Sequence, residues 1–323
     1  FSLYSFQEND TGKKVEASAF LAELPSDKCA HHVIDLNEDE QFERITNSVH
    51  DSFIDHVSQN KEFFESNLSD YRLSVTHLNN YLDCPRKFFY QNFIRIPAAK
   101  DKHAALGTAV HNALCDLFNL LNNKTTDKEA SLSFASEQFL LHLKNEYLLK
   151  ADFEECKERG SKFLDEYLNF YFEQFNLNTL QEFDFSSKNL VIDNLLLAGK
   201  LDKIEIINDT DINVVDYKTG RPKREDLNPG GKAHRQIVFY QMLCDLAADL
   251  PGFKYKMVSG ELDYIAKQGE KFIKEKIQVS PSDLENLKSE IKMFKEDLQT
   301  YNFPMTDDLA ECTRCSFKNI CSR

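Results

Sequence analysis

The spacing of apolar positions changes twice along this chain. Residues 1–25 alternate, turn at Asp10–Lys14 and end before Pro25, which predicts a strand, a polar turn and a short helix. Over 40–68 the apolar residues Phe42, Ile45, Val49, Phe53, Val57, Phe64 and Leu68 recur at helical spacing. The polar run "ESNLSDYR" follows and places a boundary near residue 70. Beyond it, "LSVTHLNNYLDCPRKFFYQNF" reads as amphipathic helix broken at Cys84-Pro85, since proline is tolerated best in the first turn of a helix. "LGTAVHNALCDLFNLL" (106–121) is a clear helix, and 132–178 reads as two or three more.

Then the period becomes two. "QEFDFSS", "NLVIDNLLLAGKLDKIEII" and "DINVVDYKTG" predict three successive strands, with Asn208–Asp211 as the turn between the last two. A helix over 233–248, two strands ("YKMVSGELDYIAK" and "KFIKEKIQVS") and a charged helix over 281–299 complete the pattern. Helices, three strands, a helix and further strands imply a mixed α/β core with helices packed on a sheet.

Composition narrows the class. With 41% hydrophobic residues in 323, the chain can bury a substantial core, and no apolar run has the length of a membrane span. It begins at Phe1 and shows no leader pattern, so a piece of a longer, cytoplasmic chain is expected. The formal net charge of −14 is the wrong sign for a free-standing nucleic-acid binder. Any such surface must be local or be supplied by attached domains.

One such surface is legible. Asp216 and Lys218, two apart, project to one side at the end of an apolar strand, and Asp202 lies on the strand before. Two carboxylates beside a lysine suit a hard divalent cation, Mg²⁺ or Mn²⁺, with oxygen ligands and a substrate phosphate. Taken alone, an Asp-x-Lys pair is more often a surface ion pair. The setting shifts that balance: Val214 and Val215 precede it, Gly220 and Pro222 turn the chain, and Arg221, Lys223, Arg224, Lys232 and Arg235 follow as a belt suited to phosphates.

These motifs, in this order, resemble the PD-(D/E)xK nuclease superfamily, and within it the RecB/AddB-like exonuclease branch, over roughly residues 72–323. The resemblance implies a restriction-endonuclease-like core of helix, three-stranded antiparallel unit, helix and strand, with added helices. "GTAVH" is similar to the branch's G-x-x-x-H helix, which makes His111 a metal ligand or metal-site partner and lets Gly107 bring the helix close to the sheet. "GKLDKI" and "VVDYKTG" imply Asp202 and Asp216 as metal ligands, Lys218 as the catalytic lysine and the Tyr217 carbonyl as a further ligand. "QIVFY" places Gln236 and Tyr240 one turn apart, facing the site. Glu182 is the candidate for the acid on the first strand, with Asp184 as its competitor. Taken alone, His111 reads as a satisfied core histidine, and only the order of the motifs raises the ligand reading above it; Gln236 and Tyr240 could equally be packing and capping residues.

Of the eight cysteines, Cys312, Cys315 and Cys321 are spaced C-x₂-C-x₅-C, and Cys84 offers a fourth thiol. Four thiolates suit structural zinc or an iron–sulfur cluster, and spacing does not choose. The split pattern resembles the iron–sulfur staple of AddB-type nucleases, which implies a [4Fe–4S] cluster tying the 303–323 tail to Cys84. Cys29, Cys115, Cys156 and Cys244 read as small buried hydrophobes.

Residues 2–24 are similar to the end of a UvrD-like superfamily 1 helicase core, so 1–70 is read as a helicase remnant or an N-terminal extension. No G-x-x-x-x-G-K-[ST] is present. The implied whole is the nuclease part of a helicase–nuclease acting on DNA, on single strands fed by an unwinding partner, in double-strand-break repair. The alternatives are a non-catalytic DNA-binding module with a structural metal cluster and a self-standing RecB-family exonuclease.

Overall fold

The computed structural model describes residues 68, 70–97, 101–123, 127–248 and 250–321. The chain divides into two compact units, Phe1–His56 and Val57–Arg323, and every described residue belongs to the second. The helicase-like stretch and Cys29 lie outside the described residues. In chain order the elements are β1 (Arg72–Leu73), α1 (Val75–Asp83), α2 (Pro85–Phe88), α3 (Lys102–Asn123), α4 (Lys128–Lys144), α5 (Lys150–Tyr171), β2 (Thr179–Asp184), β3 (Val191–Ile192), β4 (Leu195–Leu197), β5 (Lys200–Ile206), β6 (Asp211–Lys218), α6 (Arg224–Leu227), α7 (Lys232–Ala247), β7 (Lys256–Gln268), β8 (Lys271–Ile277), α8 (Pro281–Thr300) and α9 (Leu309–Thr313).

The main sheet has the order β2-β5-β6-β7-β8. All its pairings are antiparallel except β6–β7, which is parallel and therefore needs the crossover that α6 and α7 supply. The expected α/β core of helix, antiparallel three-stranded unit, helix and strand is present as α3, β2-β5-β6, α7 and β7. Strand β6 lies at the centre. Ile212 to Tyr217 are all buried, which is why its sequence is a nearly continuous apolar run rather than a clean alternation.

Helices cover both faces. The α3 stripe Leu106, Ala109, Val110, Ala113, Leu114, Leu117 and Phe118 packs with Leu164, Tyr167 and Leu168 of α5 against Val215, Tyr217 and Ile265 of the sheet. Each such large apolar side chain contributes about 1.5–3 kcal/mol on burial. On the other face α7 comes very close. A Cβ on Gly199, the glycine of "GKLDKI", would stand 2.4 Å from Leu243 Cδ1 of α7. Gly107 is different: a Cβ there would meet Thr219 Oγ1 at 3.5 Å, an ordinary contact, so close packing does not demand that glycine.

Two expectations change. The stretch 189–207, read as one strand, is three. Asp193 and Asn194 both have positive φ (48° and 62°) and make the tight turn of a β3–β4 hairpin; β4 then pairs in parallel with β1 in a second, small sheet. Cys115 is half-buried rather than a core residue, whereas Cys156 and Cys244 are buried as expected. Among the described residues no helix is long and apolar enough to cross a membrane.

The C-terminal part returns to the start of the unit. α8 opens with a capping box between Ser280 and Asp283 and buries Phe294 against Tyr81 and Phe88, each with ring centroids 5.1 Å away. Arg86 then holds the following strap, with its Nε donating to Phe303 O (2.7 Å) and its backbone N–H to Pro304 O (3.1 Å). That contact delivers the cysteine-bearing tail to Cys84.

Candidate active site and cysteine site

Asp216 and Lys218 occupy alternate positions where β6 leaves the core, so both side chains emerge on the face covered by α7. Lys218 Nζ lies 2.6 Å from Asp216 Oδ2. Helix α7 supplies two clamps one turn apart. Gln236 Nε2 donates to Asp216 Oδ1 (2.7 Å), its Oε1 accepts from Lys218 Nζ (2.6 Å), and the Tyr240 hydroxyl donates to the same Asp216 oxygen (3.0 Å). Gln236 also donates to Tyr240 Oη at 2.8 Å. The lysine is thus aimed by both a carboxylate and an amide.

Asp202 is held from the other side. His111 Nδ1 on α3 lies 3.1 Å from Asp202 Oδ2, and the Tyr217 backbone N–H donates to that same oxygen at 3.0 Å. The Tyr217 ring points the opposite way, into the α3–α5 core. Burial pushes both carboxyl groups up, but to different final effect. At Asp202 the charge and hydrogen bond of His111, the Tyr217 N–H and Lys218 outweigh burial and hold the group below its usual range. Asp216, nearly without exposure and beside charged Asp202, stays above its usual range despite Lys218. Burial lowers His111, yet the Asp202 carboxylate prevails and holds the imidazole above its ordinary value. The two carboxyl groups are thus pushed in opposite directions, Asp202 down and Asp216 up.

The remaining candidates separate. Glu182 is ion-paired with Lys200 across β2–β5 at the edge of this site. Its φ of +50° inside a strand is a strained backbone position for a side-chain-bearing residue. Asp184 ends β2, exposed and accepting from the Ser186 N–H at 2.8 Å. Arg221, Lys223 and Arg224 are exposed just beyond Lys218. Lys232 is exposed but paired with Asp83 at 2.7 Å. Arg235 does not belong to an open basic belt: Glu290 and Asn79 engage its guanidinium. Lys200, Asn79 and Glu290 complete these contacts without being singled out by any motif in the sequence. Only Lys200 left a signal there, two residues before Asp202 on the same strand.

Cys84, Cys312, Cys315 and Cys321 line one cavity together with Asp83 and Lys87. Burial pushes the Cys321 thiol up, Arg86 opposes this, and the sulfurs of Cys84, Cys315 and Cys312 push it further. The four thiols thus share one electrostatic environment although more than two hundred residues separate the first from the others. The Phe317 N–H donates to Cys315 Sγ at 3.4 Å, the kind of contact that stabilises a thiolate. Among the described residues no group of three or more His, Cys, Asp or Glu is drawn together as a set that could hold a metal ion. As they stand, the carboxylates are engaged by their protein partners, and the thiols surround the cavity without closing on it. The donor chemistry of each group, oxygen in one and sulfur in the other, suits a hard divalent cation and a thiophilic centre respectively.

No curated protein matches the chain. A solved structure from Eubacterium rectale, named as a candidate exonuclease, is 10% identical, covers 90% of this chain and 93% of its own, and superposes with a TM-score of 0.45. A second, SSO0001, is 16% identical, covers 80% of this chain and 96% of its own, with a TM-score of 0.32. The family profile of the PD-(D/E)XK nuclease superfamily matches residues 72–322, nearly the whole of the second unit, and the chain belongs to that superfamily.

Proposed function

We propose that this chain is a Mg²⁺- or Mn²⁺-dependent DNA exonuclease domain in which Asp202, Asp216 and Lys218 carry out phosphodiester hydrolysis. The observation that carries the reading is the convergence of Asp216 and Lys218 on the Gln236–Tyr240 clamp, with Asp202 held beside them by His111. A bound divalent cation supplies an acidified water and neutralises charge on the phosphate. The chain's own groups do the rest. Asp202 and Asp216, with the Tyr217 carbonyl, present oxygen donors, and His111 keeps Asp202 ionised. Lys218, held by Gln236, places a positive charge where the attacked phosphate gains negative charge. Arg221, Lys223 and Arg224 lie next in the chain and are placed to take backbone phosphates. Glu182, at the edge, has the role of an accessory acid.

The same reading assigns the four cysteines to a [4Fe–4S] cluster, with zinc as the rival, and places the domain in a cytoplasmic AddB/RecB-like helicase–nuclease that processes double-strand breaks. Its support is the shared thiol cavity for the first, and for the second the helicase-like sequence of residues 2–24. Single strands released by the unwinding partner are the proposed substrate.

The test is degradation of end-labelled single-stranded and duplex DNA with Mg²⁺, with Mn²⁺ and with EDTA. Metal-dependent shortening that vanishes in Asp216→Ala supports the reading. Cleavage that survives Asp216→Ala while still requiring metal overturns the site. Iron content and the visible spectrum of protein prepared without oxygen test the cysteine assignment, and a colourless protein with stoichiometric zinc would replace it.

A further inference from the structure

Arg235 immediately precedes Gln236 on α7, and its guanidinium joins three parts of the fold. Nε and Nη2 meet the two carboxylate oxygens of Glu290 on α8 at 2.8 and 3.0 Å. Nη1 donates to Asn79 Oδ1 on α1 at 2.7 Å, and Nη2 also donates to Gly230 O at 2.6 Å. A second clasp lies one turn earlier, where Lys232 pairs with Asp83 of α1 at 2.7 Å.

The identity of the two gripped helices matters. Cys84 caps the C-terminus of α1, and α8 runs into the tail that bears Cys312, Cys315 and Cys321. These are the two elements that lead into the cysteine cavity, and the Tyr81 hydroxyl on α1 ties them together by donating to Asp297 on α8 (2.5 Å). On the far side of α7, Gln236 and Tyr240 set Asp216 and Lys218. A connected path therefore runs along the chain from the cysteine cavity into α1 and α8, through the Arg235 contacts with Asn79 and Glu290 to α7, and through the adjacent Gln236 to the catalytic lysine.

We propose that Arg235 is a positioning residue through which the state of the cysteine site sets the geometry of Lys218. The inference rests on the nuclease reading above. A planar guanidinium held in a two-pronged contact transmits orientation, which a single-point ammonium does not. With the thiols held together, α1 and α8 are fixed relative to each other, and the first turn of α7 is fixed on both. With the thiols released, α1 is held to α8 by the Tyr81–Asp297 hydrogen bond, the packing of Phe294 and Arg235 itself, and any shift between the two helices carries Gln236 with Arg235. Misplacement of a reacting group by about 1 Å is enough to cost roughly 100-fold in rate.

The experiment compares the full chain with Arg235→Met, Arg235→Lys, Cys321→Ser and the double variant Cys321→Ser/Arg235→Met. It measures single-turnover DNA cleavage, DNA affinity and amide hydrogen exchange over residues 232–237. Arg235→Met and Cys321→Ser should each slow cleavage by about 10–100-fold while affinity changes less than about threefold. The double variant should be no slower than the slower single one, because both changes break the same link. Exchange over 232–237 should rise in Cys321→Ser as it does in Arg235→Met. Arg235→Lys should also be slow, whereas a residue that merely met DNA phosphates would tolerate lysine. Losses that multiply in the double variant, exchange that does not move in Cys321→Ser, or full activity in Arg235→Lys would overturn the proposal. If Arg235→Met does not fold, Glu290→Gln takes its place. If the parent chain cleaves no DNA, the nuclease reading fails, and the exchange data still decide whether the link exists.

Discussion

Lys218 Nζ stands 2.6 Å from Asp216 Oδ2, with the aspartate side chain 2% exposed and the lysine 29%. One end of the pair is thus anchored in the protein and the other is open to a substrate. Replacing the lysine tests what that opening is for. Lys218→Met should slow single-turnover cleavage by about 10²–10³-fold, the usual loss when one group aimed at developing charge is removed, and leave DNA affinity nearly unchanged. Cleavage at the parent rate would remove Lys218 from the chemistry.

The Tyr240 hydroxyl donates to Asp216 Oδ1 at 3.0 Å and accepts from Gln236 at 2.8 Å. Tyr240→Phe deletes the donor with little change of shape. A hydrogen bond to a charged group contributes about 1.5–3 kcal/mol, so the Mg²⁺ concentration for half-maximal cleavage should rise at least roughly tenfold. A Mg²⁺ titration of the variant reads this directly, and an unmoved midpoint would assign the tyrosine to packing.

Beneath the sheet, Lys203 is 2% exposed and pairs with Glu205 at 2.8 Å. Burial raises the Glu205 carboxyl, but Lys203 and the Asn213 amide prevail and hold it below its usual range. A depressed carboxyl stabilises the fold above its unfolded value, about 4.3, and loses that stabilisation as pH falls through the folded value. Glu205→Gln should therefore destabilise the chain by about 3 kcal/mol at neutral pH, and the gap should close as pH drops below 4. Denaturant midpoints at both ends of that range check it. A gap independent of pH would mean that the carboxylate does not stabilise Lys203.

Ser280 caps α8 by accepting from the Asp283 N–H, and Asp283 returns the contact to the Ser280 N–H at 2.9 Å. Ser280→Ala should cost about 1 kcal/mol, a fall of roughly 2–4 °C in the unfolding midpoint for a unit of this size. Calorimetry would show it, and an unchanged midpoint would mean that the packing of Phe294 alone holds the helix.

Much of this protein is determined by local sequence. The switch from helical to alternating spacing near residue 178 marks the sheet, because period two and period 3.6 cannot be satisfied by one conformation. The Cys84-Pro85 break follows from proline's missing N–H, and the order of "GTAVH", "GKLDKI", "VVDYKTG" and "QIVFY" follows the chain. Those features make the α/β core and the candidate carboxylates and lysine legible in the sequence alone.

Tertiary structure decided the partnerships. The Asp193-Asn194 turn lies inside an apolar run that looks like one strand until β4 finds β1. Cys84 and the 312–321 cysteines share a cavity only because Arg86 and the Phe88–Phe294 packing bring the tail home. Above all, Arg235 reads in sequence as one more cation in a basic run, yet Glu290 and Asn79, respectively 55 and 156 residues away along the chain, claim it. Periodicity reports which face of an element is apolar. It carries no record of which distant carboxylate will neutralise a given charge, because that choice is made when the helices pack.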